Sequence, residues 1–330
     1  MVPALSVAAY EAARHRAAFI DRSTRGRLVL SGNDRASYLQ GLLTNDIGSL
    51  GSGQGCYAAY LTPQGRMIAD LWVYELGDAM LLTMDGGVKD SVLARFDQLI
   101  FTEDVCIGDV TGTLAEIAIL GPDAAKRLVS AVGADIGVVE GLVEHGNVRF
   151  ERQGETTIIT RTTDAGEPGY DLYVERSRGE RVLSALATAG TVPLDEETAE
   201  AIRIEAGVPR FHRDMDEETI PLEAGIESRA ISFTKGCYVG QEVIIRVLHR
   251  GHGRIARKLV GLRFEGDVVP EAGTTVRVGD REAGRITSAT LSPALGRPIA
   301  LASLHRDFVE PATQVAVGAA KAVVTALPFV

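Results

Sequence analysis

The segment 235–242 reads K-G-C-Y-V-G-Q-E, and its cysteine is the side chain with the clearest capacity for chemistry. Cys237 lies between glycines, just before a helix that is predicted from 240 to about 249. The positive end of that helix and the ammonium of Lys235 both favour a thiolate, so the spacing predicts a nucleophilic or oxidisable thiol if it is exposed. The residues leave a second interpretation open, in which Cys237 is a buried apolar residue and the glycines shape the helix entry.

Asp70 is the second candidate, because it lies inside a strand pattern. In the sequence RMIADLWVY, strand alternation puts Asp70 on the same face as Ile68, Trp72 and Tyr74. A carboxylate among large apolar side chains is costly to bury without a partner. It is therefore either a carboxylate of a binding site or part of a solvent-facing strand with Arg66 beside it.

The elements that must position these residues follow a mixed pattern. Residues 26–132 run strand, helix, strands, helix, strands, helix, which predicts a mainly antiparallel α+β arrangement. Residues 147–206 again run from strands to helices. Residues 207–235 form an irregular region whose length predicts an ordered functional loop. Residues 254–330 contain short strands between glycines and prolines, which predicts a small β-barrel or sandwich.

Composition narrows the class of protein. The chain has 330 residues, enough for two or three domains, and a net charge of -10, which disfavours binding to nucleic acid. Its three cysteines, Cys56, Cys106 and Cys237, are too far apart for a disulfide framework or a zinc site, so no metal is expected. The N-terminus lacks the order of a signal peptide and no apolar window is long enough to span a membrane, so we expect a cytoplasmic protein.

Residues 235–242 resemble the signature of the YgfZ family, a group of folate-binding proteins involved in maintaining iron–sulfur proteins. Nearly the whole chain is similar to the wider aminomethyltransferase (T-protein, GcvT-like) superfamily. The landmarks of that similarity are FIDRS at 19–23 with the strand at 26–32, LLTNDI at 42–47, GRMIADL at 65–71, IRIEAG at 202–207 and IPLEAG at 220–225.

The resemblance implies a GcvT-like fold with four parts. An α+β folate-binding domain would comprise 1–52 and 113–235, with an inserted α+β subdomain at 53–112. The signature helix and linker would occupy 236–253, and the C-terminal β-barrel would occupy 254–330.

The resemblance also implies a function: binding of tetrahydrofolate, or a one-carbon derivative of it, in support of assembly or repair of iron–sulfur proteins. Folate and iron–sulfur client or assembly proteins would be the partners. Asp70, Asp171 and Tyr57 would line the folate site, and Cys237 would be the reactive or partner-contacting group. In the methyltransferases of the superfamily, the residue at Asp70 would also face the reacting nitrogen. From the residues alone, Asp171 also fits a strand edge and Tyr57 also fits core packing. The signature residues are Lys235, Gly236, Cys237, Tyr238, Gly240, Gln241 and Glu242.

Two alternatives remain open. The first is a folate-dependent aminomethyl or methyl transferase resembling the glycine cleavage T-protein, which the retained Asp70 favours. Against it, Ala69 replaces the first aspartate of the family's pair, and Ala199 and Glu200 stand where T-proteins carry an arginine. The family has a glutamate that binds the pterin at the position of Asp171. Because aspartate is one methylene shorter, its contact with a pterin would be direct, water-bridged or absent. The second alternative is a non-catalytic docking protein with a vestigial folate pocket.

Overall fold

The computed structural model describes residues 5–163, 165–249 and 255–330. In chain order the helices are α1 (Val7–His15), α2 (Arg35–Leu42), α3 (Lys89–Asp97), α4 (Ala124–Val132), α5 (Ile136–Glu140), α6 (Gly179–Thr188), α7 (Glu196–Glu205), α8 (Pro221–Ala224), α9 (Glu227–Ala230) and α10 (Gln241–His249). The strands are β1 (Ala18–Asp21), β2 (Gly26–Ser31), β3 (Gly55–Leu61), β4 (Met67–Glu75), β5 (Ala79–Met84), β6 (Cys106–Asp109), β7 (Leu114–Leu120), β8 (Asn147–Arg152), β9 (Glu155–Thr162), β10 (Gly169–Glu175), β11 (Val192–Pro193), β12 (Arg257–Phe264), β13 (Thr275–Val278), β14 (Arg281–Ser292), β15 (Arg297–His305), β16 (Gln314–Val317) and β17 (Ala320–Thr325).

Two sheets form the part of the molecule before the barrel. The six-stranded sheet has the order β11-β1-β7-β10-β9-β8, and the five-stranded sheet has the order β3-β4-β5-β2-β6. Neighbouring strands are antiparallel in both sheets, apart from the parallel pair β1 and β11. The mainly antiparallel α+β arrangement predicted from the sequence is therefore confirmed.

Strand β10 lies between two layers, which explains why six of its seven residues are buried. On one face of its sheet, Leu172 packs with Leu128 of α4 and Leu186 of α6 in one apolar core. On the other face, Tyr173 packs with Tyr74 of the five-stranded sheet, with ring centroids 6.4 Å apart. Polar side chains on this second face are therefore held between the two sheets.

The C-terminal strands close into a six-stranded barrel in the order β12-β15-β14-β13-β16-β17. Antiparallel pairing of β12 with β17 completes the closure. Alternate residues of these strands, including Val260, Leu262 and Ile286, point inward and form the core of the barrel. The predicted C-terminal β-barrel is thus confirmed.

Helix α10 begins against the turn between β3 and β4, and two glycines permit the close approach. Gly240 has a φ of +85°, and a Cβ atom there would lie 2.6 Å from the carbonyl oxygen of Thr62. Gly65, with a φ of +75°, would bring a Cβ within 2.9 Å of the Val243 Cβ. Glycine is required at both positions because it tolerates positive φ and leaves room for the neighbouring chain.

The predicted division into four domains stays a prediction. Strand β2 falls in its first segment, 1–52, yet pairs along its whole length with β5 of the predicted subdomain 53–112. The sequence did not indicate this pairing, because β3 and β4 lie between β2 and β5 in the chain and belong to the same sheet. Residues 250–254 of the predicted linker and barrel start lie outside the described residues. Among the residues that are described, no helix is long and apolar enough to cross a membrane.

Candidate functional site

An open cavity of about 1040 Å³ lies where the turn after β1, strands β3 and β4, helix α7 and the loop after α7 meet. Tyr57, Asp70 and Trp72 line it from the strands, and Glu200 and Arg203 line it from α7. That volume includes the open solvent at the mouth of the cavity. Two of the sequence-predicted residues, Tyr57 and Asp70, are therefore in one cavity.

Asp70 and Tyr57 form a buried polar pair on this cavity. The Tyr57 hydroxyl donates a 2.8 Å hydrogen bond to Oδ2 of Asp70, and the two residues are 2% and 5% exposed. The antiparallel register of β3 and β4 places Tyr57 opposite Trp72. Asp70 is two residues before Trp72 on β4, so all three side chains lie on the same face of the sheet. The hydrogen bond fixes the orientation of the carboxylate without removing its capacity to accept further N–H donors.

Aromatic rings and guanidinium groups alternate along the same wall. The ring centroids of Tyr57 and Trp72 are 5.0 Å apart. The guanidinium carbon of Arg229 lies 5.0 Å from the centroid of Tyr57, and that of Arg25 lies 4.4 Å from the centroid of Trp72. These cation–π contacts hold flat, polarisable surfaces at the cavity wall.

Asp171 lies behind the cavity and is not one of its lining residues. It is 1% exposed, on the face of β10 that is covered by the five-stranded sheet. Its Oδ1 accepts a 3.3 Å hydrogen bond from Arg22, whose side chain does line the cavity. The predicted site residue is thus adjacent to the cavity and connected to it through an arginine that sequence reasoning missed.

Helix α7 contributes a carboxylate at the place where an arginine was expected by resemblance. Asp195 caps the helix by accepting a 2.7 Å hydrogen bond from the backbone N–H of Thr198, and this aligns Glu200 and Arg203 with the cavity. Burial alone would raise the pKa of Glu200, but its ion pair with Arg203 lowers that pKa below the ordinary value. Arg203 is in turn held by Asp214 at 2.7 Å.

In the signature segment 235–242, buried contacts of Lys235 and Tyr238 fix the backbone, and the thiol of Cys237 between them is exposed. The ammonium of Lys235 donates to the backbone carbonyls of Gln40, Leu43 and Asn45, each at 2.7 Å, and burial lowers its pKa to about 8. Tyr238 is buried, whereas Cys237 is exposed and is not one of the residues that line the cavity.

The exposure of Cys237 excludes the interpretation of a buried apolar cysteine. The Lys235 ammonium, which we expected to assist the thiolate, donates to three carbonyl oxygens, and its assistance to Cys237 stays a prediction. A catalytic role for Cys237 stays a prediction. Within the described ranges, no group of three or more His, Cys, Asp or Glu side chains could hold a metal ion.

Thiol alkylation should separate the three cysteines. Burial raises the pKa of the Cys56 thiol to about 12, so roughly one thiol in 10⁴ would be ionised at pH 8. Cys106 and Cys237 are exposed. Iodoacetamide at pH 8 is therefore expected to modify Cys106 and Cys237 in the native protein and Cys56 only after unfolding, as measured by peptide mass mapping. Modification of native Cys56 as fast as Cys237 would contradict the burial described here.

Similarity to known proteins covers nearly the whole chain. Residues 4–235 match the family model of the GCVT N-terminal domain, and residues 257–330 match that of the glycine cleavage T-protein C-terminal barrel domain. An aminomethyltransferase of Rubrobacter xylanophilus is 34% identical over 310 residues, which cover 93% of this chain and 80% of the relative. An aminomethyltransferase of Streptomyces avermitilis is 32% identical over 308 residues, or 92% of this chain and 82% of the relative.

A solved structure agrees with the architecture. The glycine cleavage system aminomethyltransferase T from Bartonella henselae aligns with a TM-score of 0.88 at 21% identity, covering 98% of this chain and 89% of that one. The GcvT-like fold expected from the sequence is confirmed, whereas membership of the narrower YgfZ family is not established by these similarities. The chain belongs to the glycine cleavage T-protein family.

Proposed function

We propose that this protein binds tetrahydrofolate in the cavity and transfers a one-carbon unit to it, as an aminomethyltransferase. The observation that carries the proposal is the buried Tyr57–Asp70 pair on a cavity wall with Trp72. A carboxylate accepts adjacent N–H donors side by side, and an aromatic wall suits a flat heterocycle. The family relationship to aminomethyltransferases supports the choice of ligand and reaction.

In this proposal the described residues bind and orient the substrate. Asp70 faces the reacting amine of tetrahydrofolate, where its carboxylate positions the nitrogen and accepts its proton as the nitrogen bonds to the aminomethyl carbon of the donor and ammonia leaves that carbon. Tyr57 keeps the carboxylate oriented through its hydroxyl. Asp171 contributes through Arg22, since it has no surface on the cavity.

The test combines binding with turnover. Tetrahydrofolate affinity would be measured by calorimetry under anaerobic conditions, and transfer would be followed with a carbon-14-labelled aminomethyl donor. Binding together with label on the folate supports the proposal. Binding without transfer at any donor concentration eliminates the transferase activity, and absence of binding eliminates the folate site and leaves a docking protein.

A second candidate follows from the signature segment. There, Lys235 and Tyr238 are packed inward while the Cys237 thiol is exposed outside the cavity. Such a thiol is accessible to another protein, which is compatible with a cytoplasmic YgfZ-type role in assembly or repair of iron–sulfur proteins. The absence of an acidic residue at Ala69 also favours this candidate over transfer.

Complementation separates the second candidate from the first. In cells that lack the native protein, the wild-type chain should restore the activity of iron–sulfur enzymes and the Cys237→Ser variant should not. The Cys106→Ser variant is the matched control, because Cys106 is also exposed but lies outside the signature. Equal restoration by all three chains would remove the reason for this candidate.

A further inference from the structure

Strand β14 of the barrel contains a β-bulge where it packs against α7. In the pairing of β14 with β15, Ile286 lies opposite Ala302 and Ser288 lies opposite Leu301, so Thr287 is an extra residue in β14. A bulge re-aims side chains that strict alternation would send to opposite faces of the sheet. Ile286 packs in the core of the barrel, whereas the buried hydroxyls of Thr287 and Ser288 both contact the chain that forms the cavity wall.

Ser288 holds an arginine of that wall. Its hydroxyl accepts a 2.9 Å hydrogen bond from Nη2 of Arg203. The other N–H groups of Arg203 donate to both carboxylate oxygens of Glu200, to the carbonyl of Val208 and to Asp214. A guanidinium has five N–H donors, and all five of Arg203 are engaged in this way. Arg203 lines the cavity, but its N–H groups orient Glu200 instead of contacting a ligand.

Thr287 supports the same wall through a buried carboxylate. Its hydroxyl donates a 2.6 Å hydrogen bond to Oδ1 of Asp214, whose side chain is 0% exposed. Oδ2 of Asp214 accepts from Arg203 at 2.7 Å and from the backbone N–H of Arg210 at 3.1 Å. Asp214 therefore joins the barrel both to α7 and to the loop 208–211, all four residues of which line the cavity.

Glu200 is the part of this network that a ligand can reach. Its side chain is 28% exposed, against 10% for Arg203 and 0% for Asp214. The guanidinium of Arg210 lies 3.9 Å from its Oε2, which is beyond hydrogen-bond distance. A carboxylate has about four lone-pair sites, so Glu200 can accept an N–H donor of a ligand while it stays paired with Arg203.

We propose that Thr287 and Ser288 of the barrel are positioning residues for ligand binding. They act through Asp214 and Arg203, and the group that they aim is Glu200, which accepts an N–H donor of the ligand. The identity of that ligand as tetrahydrofolate rests on the proposed function; the positioning of Glu200 by the barrel does not.

Serine variants on β14 separate positioning from stability. Ser288→Ala removes the acceptor of Arg203. Ser292→Ala is the matched control, because Ser292 is also a buried serine of β14 whose hydroxyl contacts a charged side chain of α7, that of Glu205. Glu205 is not one of the lining residues of the cavity. One-carbon transfer would be measured at varied concentrations of tetrahydrofolate, with urea denaturation in parallel.

The expected result is a separation of KM from kcat. Ser288→Ala should raise the KM for tetrahydrofolate about 10- to 150-fold, the range for a lost hydrogen bond to a charged group. It should leave kcat unchanged, because Asp70 and Tyr57 belong to β4 and β3. Ser292→Ala should lower stability only, and Ser288→Thr, which keeps a hydroxyl, should restore the native KM. An unchanged KM in Ser288→Ala, or an equal rise in Ser292→Ala, overturns the positioning role.

Carboxyl labelling distinguishes failure of this inference from failure of the proposed function. A water-soluble carbodiimide with glycine ethyl ester converts accessible carboxylates to amides, and tandem mass spectrometry gives the rate at Glu200. That rate is expected to be at least about 10-fold higher in Ser288→Ala than in the native chain or in Ser292→Ala. If the native chain binds no tetrahydrofolate but labelling follows this pattern, the positioning is supported and the folate function is wrong. If labelling is also unchanged, both are wrong.

Discussion

The Asp70→Asn variant is expected to lose at least about 100-fold in the rate of one-carbon transfer, the lower range for removal of a general base, while keeping its fold. Asparagine is nearly isosteric and its Oδ1 can still accept the hydrogen bond from Tyr57, so the buried pair survives. What is lost is the negative charge that positions the amine and accepts its proton. Single-turnover transfer to tetrahydrofolate is the measurement, with affinity measured in parallel.

The Tyr57→Phe variant is the matched comparison for this prediction. It removes the hydroxyl that orients Asp70 but keeps the charge and the ring stacked on Trp72. We expect a smaller loss, about 10-fold, because one hydrogen bond contributes about 1 kcal/mol. If Asp70→Asn transfers the one-carbon unit as fast as the native chain, Asp70 is not the catalytic carboxylate.

The Glu116→Gln variant is expected to lower the free energy of unfolding by about 3–5 kcal/mol, because it leaves a buried guanidinium without its counter-charge. Arg27 and Glu116 are both 0% exposed and lie 3.3 Å apart, across the interface of the two sheets. Thr83 also donates to Oε2 of Glu116 at 3.1 Å. Urea denaturation followed by circular dichroism measures the difference in free energy.

Asp78→Asn makes the same carboxylate-to-amide change at a surface ion pair. Asp78 lies 2.7 Å from Arg149, and the two side chains are 67% and 38% exposed. Solvent screens such pairs, so this variant should cost about 1 kcal/mol or less. A Glu116→Gln variant no less stable than Asp78→Asn would show that the interface of the two sheets does not depend on the buried ion pair.

Local sequence patterns were sufficient to predict much of the fold. The alternation around Asp70 predicted a strand that brings its side chain to the face of Trp72, and β4 does so. The glycine- and proline-punctuated strands after 254 predicted the barrel. The pairing of β2 with β5 was not predictable, because strand order within a sheet depends on contacts between segments that are far apart in the chain.

The site was predictable only where its residues lie on regular strands. Arg22 and Asp171 are 149 positions apart, and nothing in the sequence near either one indicates the other. Sequence patterns therefore did not indicate the two arginines of the turn after β1 as site residues. Lys235 is a similar case: its closeness to Cys237 in sequence predicts electrostatic assistance, which stays a prediction, but did not indicate that its ammonium donates to the carbonyl of Leu43, 192 positions away.

The buried counter-ions of Arg22, Arg25 and Arg27 have a consequence for the order of folding. Glu116 follows Arg27 by 89 positions, and Asp171 follows Arg22 by 149. Contacts of such high sequence separation form late, because the entropy of closing a long loop must be overcome first. During synthesis on the ribosome, the arginine side chains of β2 and of the turn after β1 therefore remain solvated until β7 and β10 have been synthesised. The ligand cavity is completed only after the carboxylates of these two strands are in place, so a nascent chain that stops before them has no binding site.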